Sequence, residues 1–580
     1  MQNNYWKAVA IVLGAMAGIA SMAHADIIPP KVVATTPGGL NVADGSLQYS
    51  VTDLALGTLK LERFYRTSRQ QPNDPAFGTN FSNNFDIYVA YRNSSTSPTF
   101  RTVHIGNGAS GTFAYYNSST ILPSGMDAEK GTLTQSGSQF IYVDGSDSSG
   151  TIYTFSATVG VAGAATQSRR VERIDFPDGR RQTFSYSGNN LKLVEDSGGY
   201  AVVFDYNASG DATAACIFNR SQSYVSASST CSGAQIKTAY GYTVTLSKPY
   251  LTSVTDVLGQ VTSYTNDNWG MTCLKPPGYS SCTMSNSNHS TRIGSQTLLD
   301  GGTWVTSGAN PDVLNDPDAG YAGFNEASYT DPDGNLIAMT YQNTSPLSIR
   351  VNGVQMQFKF NGADPSSSVL EGSFLMEATY PEGNKYKAEY LGPFRAISKE
   401  TMVAKSGTGL ADLVKQYGYG SCTGPIGSNQ NCAKPVWIRD PKLNQTDFSY
   451  ATHGGMLSEM KPAPVAGASR PLRLFTYVQK YAYVKNSGGS LVQAATPIWM
   501  TNTETQCQTV AGSSTTTCDP SGPQIVTTYE YGANGTANNL LVRGVAVTAD
   551  GQTRRTCYGY DALGRRISET KPNAGLGACP

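Results

Sequence analysis

Along most of the chain, apolar and polar residues alternate in short runs that end at turn-forming residues. Within Lys385–Tyr390, Tyr386, Ala388 and Tyr390 share one face of an extended strand, while charged residues occupy the other face. Clusters of Gly, Pro, Asp and Asn separate such runs and are typical of turns. Helical periodicity is scarce, and Gly409–Tyr417 is the best candidate for a short helix. The pattern predicts an all-β chain of antiparallel hairpins.

Two spacings recur along the chain and indicate a repeated hairpin. In the first, three residues separate a Tyr from a turn glycine, as in Tyr206–Gly210, Tyr450–Gly454, Tyr531–Gly535 and Tyr560-Asp561-Ala-Leu-Gly564. In the second, a polar turn ends in Gly and a Tyr follows seven residues later, as in Gly179 with Tyr186, Gly334 with Tyr341, Gly383 with Tyr390 and Gly551 with Tyr558. Glycine takes backbone angles that are closed to other residues, so each copy predicts a turn that leads into a strand. A single hairpin is marginally stable, whereas an array of hairpins can share one continuous buried layer.

Charge and the first residues narrow the class of protein. The chain has 580 residues, with 42 Lys and Arg against 42 Asp and Glu, and no basic patch of the kind that binds nucleic acid. A positive start at Lys7, an apolar run over Ala8–Ala20 and the small-residue pattern Ala23-His24-Ala25 are typical of a secretory signal peptide. The run is shorter than the roughly 20 apolar residues that a bilayer span needs. We therefore predict a signal peptide over 1–25, no transmembrane segment after its removal, and a periplasmic, extracellular or cell-surface location.

The ten cysteines lie beyond the predicted signal peptide and fall into neighbouring pairs. In order, the pairs are Cys216 with Cys231, Cys273 with Cys282, Cys422 with Cys432, Cys507 with Cys518, and Cys557 with Cys579. Four of them bracket short stretches rich in Ser, Gly, Pro and Asn, which cannot bury enough apolar surface to order themselves. A metal site would need CxxC knuckles or Cys/His clusters, and the sequence contains neither. Disulfides between nearest neighbours are the simplest connectivity, each contributing about 2–4 kcal/mol.

Some of these motifs resemble a known family. Tyr560-Asp-Ala-Leu-Gly-Arg565 resembles a complete YD repeat of Rhs proteins, and the other copies resemble degenerate repeats. The segments Asn41–Leu47, Asp53–Ser68 and Phe77–Asp86 resemble the entry segment that precedes the repeats, with Phe81 where a Trp is common. The resemblance implies a long antiparallel sheet that spirals into a hollow shell, which in bacteria often encloses a toxic carboxy-terminal domain. The chain departs from that scheme, because it has no DPxGxxxG motif and no non-repeat domain after Pro572.

These observations lead to a division of the chain and to two candidate functions. We expect an Rhs-type entry β domain over residues 26–165 and a YD-type repeat region with Cys-bounded loops over residues 166–580. The first candidate is a structural shell segment that encapsulates or presents an effector, with a downstream YD-repeat chain or the effector as its partner. The alternative is an extracellular β-repeat protein that binds a glycan or a cell-surface ligand.

Catalytic motifs are weak in this sequence. Gly106-x-Gly108-x-x-Gly111 has the spacing of a dinucleotide-binding loop, but the residues after it predict a strand where that loop needs a helix. The histidines beyond the signal peptide, His104, His289 and His453, are far apart and outside any metal motif. His453 lies within a Tyr-x-x-x-Gly turn, where any polar residue would serve. We therefore expect no enzyme activity, no cofactor and no bound metal.

Overall fold

The computed structural model describes residues 27, 35–41, 46–67, 76–91, 100–105, 109–116, 120–124, 131–136, 139–144, 150–156, 158–159, 167–289, 292–308, 324–342, 345–360, 375–391, 396–420, 431 and 434–579. The regular structure in these residues is β-strand, apart from one 3-10 turn at Pro572–Ala574. No helix in the described part of the chain is long and apolar enough to cross a lipid bilayer.

The strands are numbered in chain order. They are β1 Gln48–Leu56, β2 Leu59–Arg66, β3 Phe81–Asn83, β4 Tyr88–Tyr91, β5 Phe100–Ile105, β6 Ala109–Tyr116, β7 Thr120–Ser124, β8 Gly131–Ser136, β9 Gln139–Asp144, β10 Ile152–Phe155, β11 Gln167–Asp175, β12 Arg181–Ser187, β13 Asn190–Asp196, β14 Tyr200–Tyr206, β15 Ala212–Asn219, β16 Lys237–Thr245, β17 Lys248–Thr255, β18 Val261–Asn266, β19 Met271–Lys275, β20 Met284–His289 and β21 Arg292–Leu298. They continue with β22 Thr303–Gly308, β23 Phe324–Thr330, β24 Leu336–Gln342, β25 Ser345–Val351, β26 Val354–Phe360, β27 Leu375–Thr379, β28 Lys385–Leu391, β29 Ala396–Val403, β30 Leu413–Tyr419, β31 Pro435–Arg439, β32 Gln445–Tyr450, β33 Met456–Met460, β34 Pro471–Lys480, β35 Tyr483–Lys485, β36 Leu491–Gln493, β37 Ile498–Gln508, β38 Ile525–Tyr531, β39 Val542–Ala549, β40 Gln552–Tyr560 and β41 Arg566–Thr570.

One antiparallel meander contains most of these strands. From β8 to β34, every strand is hydrogen-bonded to the next strand along the chain. β34 then pairs with β37, because β35 and β36 form a separate small hairpin. The meander continues from β37 to β41. The prediction of an all-β, antiparallel hairpin sheet is thus confirmed.

The helix proposed for Gly409–Tyr417 is wrong. Leu413–Tyr419 is strand β30, which pairs with β29 on one side and with β31 on the other. An isolated helix shorter than about 12 residues is marginal in water. β29 pairs with Leu413–Gln416 and β31 pairs with Gln416–Tyr419, so strand pairing overrides the weak helical preference.

The entry segment lies against one face of the meander, which we call the inner face. β1, β2 and β3 form a separate three-stranded sheet. Its side chains share one buried apolar cluster with the meander, in which Leu61 and Phe81 of the entry segment join Phe184, Phe204 and Met271. Two layers that bury a common apolar face are the basis of a stable domain, so the meander starts on a packed core.

Strand β11 connects strand β4 to the meander. Its first residues, Gln167–Arg170, pair with β4, while its later residues pair with β10 and β12. The strand β6 occupies Ala109–Tyr116, after the glycine-rich segment whose first glycines lie outside the described residues. The division of the chain at residue 165 stays a prediction.

Candidate functional site

The predicted turn glycines Gly179, Gly334, Gly383 and Gly564 have a shared geometry. At Gly334, the backbone N–H donates to the carbonyl of Asp331 at 3.0 Å, and the positive φ of 84° is a conformation that glycine adopts without strain. Asp331 also accepts the N–H of Asn335 on its side chain at 2.7 Å. Equivalent bonds from the glycine N–H close the turns at Gly179, Gly383 and Gly564. The turn is therefore fixed by glycine at one position and, in several copies, by a carboxylate at another.

The Asp of the YD motif has the same role. Asp561 accepts the N–H of Arg565 on its side chain at 2.8 Å. This backbone hydrogen bond lowers the pKa of Asp561. Gly551 differs, because it forms a two-residue turn with Asp550 between β39 and β40, and both residues have positive φ.

A β-bulge lies at the tyrosine end of the repeated hairpin. Strand pairing shifts register immediately before each of these tyrosines, so that one residue of the following strand is left without a direct partner and forms the bulge. The tyrosines that face these bulges and the residues paired with them are Tyr186 with Leu191, Tyr206 with Ala212, Tyr242 with Leu251, Tyr341 with Pro346, Tyr390 with Ile397, Tyr419 with Pro435, Tyr450 with Met456, Tyr477 with Thr501, Tyr531 with Val542 and Tyr560 with Arg566.

Nine of these ten tyrosines form a hydrogen bond back to the preceding bulge. The hydroxyl of Tyr206 donates to the carbonyl of Leu191 at 2.6 Å, and Leu191 is the residue opposite Tyr186. The same bond recurs from Tyr186 to Val171, Tyr242 to Ala212, Tyr390 to Leu375, Tyr419 to Ile397, Tyr450 to Pro435, Tyr477 to Met456, Tyr531 to Thr501 and Tyr560 to Val542, at distances of 2.6–3.0 Å. We call this series the tyrosine ladder.

Other polar side chains replace tyrosine in the middle of the ladder. Asn266 donates to the carbonyl of Leu251 at 2.9 Å, and Asn286 donates to that of Met271 at 3.0 Å. These positions therefore share one requirement, which is a side-chain hydrogen-bond donor that reaches the backbone carbonyl at a bulge.

The ladder phenols remain protonated under ordinary conditions. Burial raises the pKa of Tyr390, Tyr419 and Tyr531 to about 12. A phenol with so high a pKa keeps its proton at neutral pH and remains a donor. The hydroxyls of these side chains therefore remain hydrogen-bond donors to backbone carbonyls of the sheet.

Sequence spacing located only some of the ladder. Tyr341 stands at a bulge, but its side chain lies outside the described residues. Tyr558 precedes the ladder residue Tyr560 by two positions and faces Glu569 on β41. Three ladder tyrosines, Tyr242, Tyr419 and Tyr477, were missed.

A second sequence signal would have found the missed tyrosines. An aromatic residue stands two positions before most ladder tyrosines and faces the same side of the sheet. The instances are Phe184-x-Tyr186, Phe204-x-Tyr206, Tyr240-x-Tyr242, Tyr417-x-Tyr419, Phe448-x-Tyr450, Phe475-x-Tyr477, Tyr529-x-Tyr531 and Tyr558-x-Tyr560.

Disulfides close several loops of the sheet. The structure joins Cys216 with Cys231, Cys273 with Cys282, Cys507 with Cys518, and Cys557 with Cys579. Cys216 and Cys231 lie in a buried cluster with Leu193 and Val203. The predicted Cys422–Cys432 bridge lies outside the described residues.

A buried ion pair ties the entry segment to the meander. A register shift in β1 at Asp53 accompanies its pairing with Arg63, and the two side chains are only 2% and 1% exposed. The guanidinium donates to both carboxylate oxygens at 2.9 Å, and Tyr240 and Tyr264 of the meander complete the cluster at 2.9 and 3.2 Å. Burial opposes the charged guanidinium, but Asp53, together with Tyr264 and Tyr240, outweighs burial and raises the pKa of Arg63. Sequence reasoning did not anticipate this pair.

The meander also returns to contact itself. The loops that follow the ladder residues lie at one end of the strands, and we call this side of the meander the tyrosine edge. The other loops lie at the other end of the strands, and we call that side the opposite edge. Loops at the opposite edge of β11–β16 contact segments at the tyrosine edge between β34 and β41. We call this contact the seam. Trp499 donates its N–H to the carbonyl of Asp178, and Lys485 donates its N–H to that of Arg220, both at 2.7 Å.

Asn219 is the centre of the seam. This 3% exposed side chain donates to Asn538 at 2.5 Å and to the carbonyl of Leu563 at 2.9 Å. Asn538 in turn donates to the carbonyl of Ala562 at 3.1 Å. Asn219 and Leu563 are 344 positions apart in the sequence, so the seam joins distant parts of the meander.

His453 packs beside the seam and has a more specific place than its turn suggested. Its ring stacks on Trp499 at 4.5 Å and meets Tyr477 edge-on at 4.7 Å. Burial, and then the ammonium of Lys434, lower the pKa of His453, while Asp178 acts in the opposite direction. The neutral imidazole is therefore the favoured form in the folded chain.

The hydrogen bonds and disulfides described above join strands, loops and the seam. Within the described ranges, no group of three or more His, Cys, Asp and Glu residues is placed to hold a metal ion. The dominant feature of the described residues is the tyrosine ladder, in which tyrosine hydroxyls donate to backbone carbonyls at successive bulges.

Comparisons with known proteins complete the description. No protein-family model matches the chain, and no curated protein matches it. Among solved structures, it is similar to a chain of the Photorhabdus luminescens Tc holotoxin pore that carries a TccC3 mutation, with 10% identity, a TM-score of 0.31, and coverage of 89% of this chain and 27% of that chain. It is also similar to TcdB2-TccC3 without its hypervariable C-terminal region (8% identity, TM-score 0.33, 88% and 30% covered) and to TcdB2-TccC3-TEV (9% identity, TM-score 0.30, 97% and 32% covered). The chain thus spans about a third of the length of these chains.

Proposed function

We propose that this chain is an exported wall segment of an Rhs/YD-type shell that shelters an effector, and that its role is architectural rather than catalytic. The observation that carries the proposal is the unbroken meander whose later strands return to its first strands along the seam. A sheet that winds back on itself surrounds a space, and its lateral contact holds successive turns together. The tyrosine ladder satisfies backbone carbonyls at successive bulges of the sheet.

The inner face changes character along the chain in the way that a wall requires. Near its start the inner face is apolar and covered by the entry segment. Farther along, Phe475 stands two residues before Tyr477, as Phe184 does before Tyr186, so Phe475 and Arg473 face inwards. Arg473 contacts both Glu459 and Glu504 at 3.0 Å and remains partly exposed. This later part of the inner face combines aromatic and charged side chains that remain partly exposed, which suits contact with a second polypeptide.

The last described strand supports the proposal of a partner chain or effector. β41 pairs with β40 and with no other described strand. A strand with an unpaired edge presents a row of backbone donors and acceptors to another strand. A further YD-type hairpin could extend the meander along this edge.

A protease-protection experiment tests the shelter function. A disordered peptide with a protease site is fused after residue 579 of the oxidised chain, and the same peptide on an unrelated folded protein is the control. We expect cleavage at least tenfold slower than in the control. Substitution of both Tyr450 and Tyr477 by Ala should remove the protection by weakening the wall. Cleavage of the intact fusion at the control rate contradicts the shell proposal.

A further inference from the structure

The seam shows which surfaces of this sheet fit together. Tyrosine-edge segments of the late strands rest on opposite-edge loops of the early strands, with direct bonds such as Trp499 to Asp178. The two surfaces differ, so the contact is directional along the axis of the spiral. The early strands therefore leave their tyrosine edge outside the seam, and the later strands leave their opposite edge outside it.

The tyrosine edge of the early strands exposes apolar side chains. Leu246 lies at the tip of the β16–β17 hairpin and is 75% exposed, and Val244 lies beside it. Trp269 follows in the β18–β19 turn and is 53% exposed. Tyr250 of β17 donates to the carbonyl of Asn268 at 3.0 Å, which holds these two loops next to each other.

The opposite edge of the later strands exposes a second apolar set. Leu410 lies between β29 and β30, Leu443 between β31 and β32, and Val465 between β33 and β34. Leu443 is 72% exposed and Val465 is 68% exposed. Apolar side chains that recur in neighbouring exposed loops mark a surface for association.

We propose that copies of this chain stack head to tail, with the tyrosine edge of the early strands of one copy on the opposite edge of the later strands of the next copy. Both halves of the contact are present on one chain, and they belong to the two kinds of edge that the seam already joins. The balanced charge of the chain, 42 positive against 42 negative residues, imposes no net repulsion between copies. Because the two surfaces differ, the contact is heterologous and builds rings or open filaments. This association goes beyond the proposed shelter function and does not depend on any effector.

Two surface variants test the proposal by sedimentation velocity on the oxidised chain without its predicted signal peptide. The first combines Leu246→Asn with Trp269→Ser, and the second combines Leu443→Asn with Val465→Asn. Leu246 and Leu443 have positive φ, which Asn tolerates well, so neither turn should be disrupted. Val305→Asn, at an exposed strand position away from both edges, is the matched control.

The expected results follow from the two-sided contact. The unmodified chain and the Val305→Asn control should form species larger than a dimer as concentration rises, and each edge variant alone should be monomeric. An equimolar mixture of the two edge variants should form dimers and nothing larger, because one intact pair of surfaces remains. A monomeric unmodified chain overturns the proposal. Self-association of either edge variant on its own also overturns the proposal, since it places the contact elsewhere.

Discussion

At the scale of single residues, the ladder tyrosine answers a problem that the bulge creates. A bulge interrupts the hydrogen-bond ladder of the sheet and leaves a backbone group without a strand partner. Buried carbonyls are nearly always satisfied in folded proteins. The hydroxyl of Tyr206 supplies the missing donor to Leu191, and the apolar ring of the same side chain fills the adjoining space on the inner face.

Removal of a single ladder hydroxyl should weaken the fold measurably. Tyr206→Phe leaves the ring in place but deprives the Leu191 carbonyl of its donor, which should lower the free energy of unfolding by about 1–3 kcal/mol. Tyr529→Phe is the control, because the Tyr529 hydroxyl makes no hydrogen bond with the described residues. Chemical denaturation of both variants measures the difference. Equal stability of the two variants would show that the hydroxyl is dispensable.

His453 should make the seam region sensitive to acid. Its pKa is lowered in the folded chain, so the unfolded chain binds the proton first as the pH falls. The stability that the neutral His453 ring contributes is fully present above the ordinary pKa of about 6.5, and it is lost as the pH falls through the lower pKa of the folded chain. Thermal melts between neutral and mildly acidic pH should therefore show a steeper loss of melting temperature in the unmodified chain than in His453→Gln. Parallel pH profiles would contradict this expectation.

At the scale of the element, the repeated unit is a turn, a strand, a bulge and a bond to the preceding unit. The loop after the bulge is free to vary, because the residues on either side of it are held by the sheet. It is short between Tyr206 and Ala212 and much longer between Tyr419 and Pro435, although the bulge geometry is the same. This freedom explains why the copies are spaced irregularly along the sequence.

The Cys-bounded loops should contribute stability by restricting the unfolded chain. Replacement of both Cys507 and Cys518 by Ser should lower the free energy of unfolding by about 2–4 kcal/mol. Guanidinium denaturation of the oxidised variant measures this loss. Peptide mapping of the unreduced chain should also find Cys422 linked to Cys432. Free thiols at these positions, or links between distant pairs, would contradict nearest-neighbour pairing.

The sequence was informative about turns and strands because their causes are local. Glycine at a positive φ and alternating side chains along a strand can both be recognised from a few neighbouring residues, as at Gly334 and Lys385–Tyr390. The bulges were missed because a register shift depends on the pairing of two strands. The helix expected near Gly409 failed for the same reason, since strand partners on both sides decided its conformation.

At the scale of the whole molecule, two long-range contacts determine how the sheet is organised. The Asp53–Arg63 pair meets the meander at Tyr240 and Tyr264, and the seam joins Asn219 to the carbonyl of Leu563. Neither contact could be predicted from the sequence, because no pattern within one strand specifies a partner hundreds of residues away. The resemblance to Rhs proteins suggested a spiral but did not identify which loops would meet.

A matched pair of glycine substitutions should separate the seam from the turn that contributes to it. Gly179 and Gly383 occupy equivalent turns with φ of 85° and 93°, so Ala strains the backbone similarly at both. A methyl group at Gly179 would also lie 2.7 Å from the carbonyl oxygen of Pro497 across the seam, whereas at Gly383 the nearest atom is 3.9 Å away on Lys405. Gly179→Ala should therefore be the more destabilising by about 1–3 kcal/mol. Thermal unfolding and amide exchange at Trp499 measure the effect, and equal losses in the two variants would contradict the seam contact.

The direction of the ladder has a consequence for the order in which the chain acquires its structure. Every ladder tyrosine donates to a carbonyl that precedes it in the sequence, as Tyr206 does to Leu191 and Tyr560 does to Val542. A polypeptide that emerges amino end first can complete each unit as soon as its tyrosine arrives, using a partner that has already emerged. The sheet can thus grow one hairpin at a time as the chain emerges. The seam is the exception, because its early loops must wait for segments that appear more than 260 residues later, as Arg220 waits for Lys485.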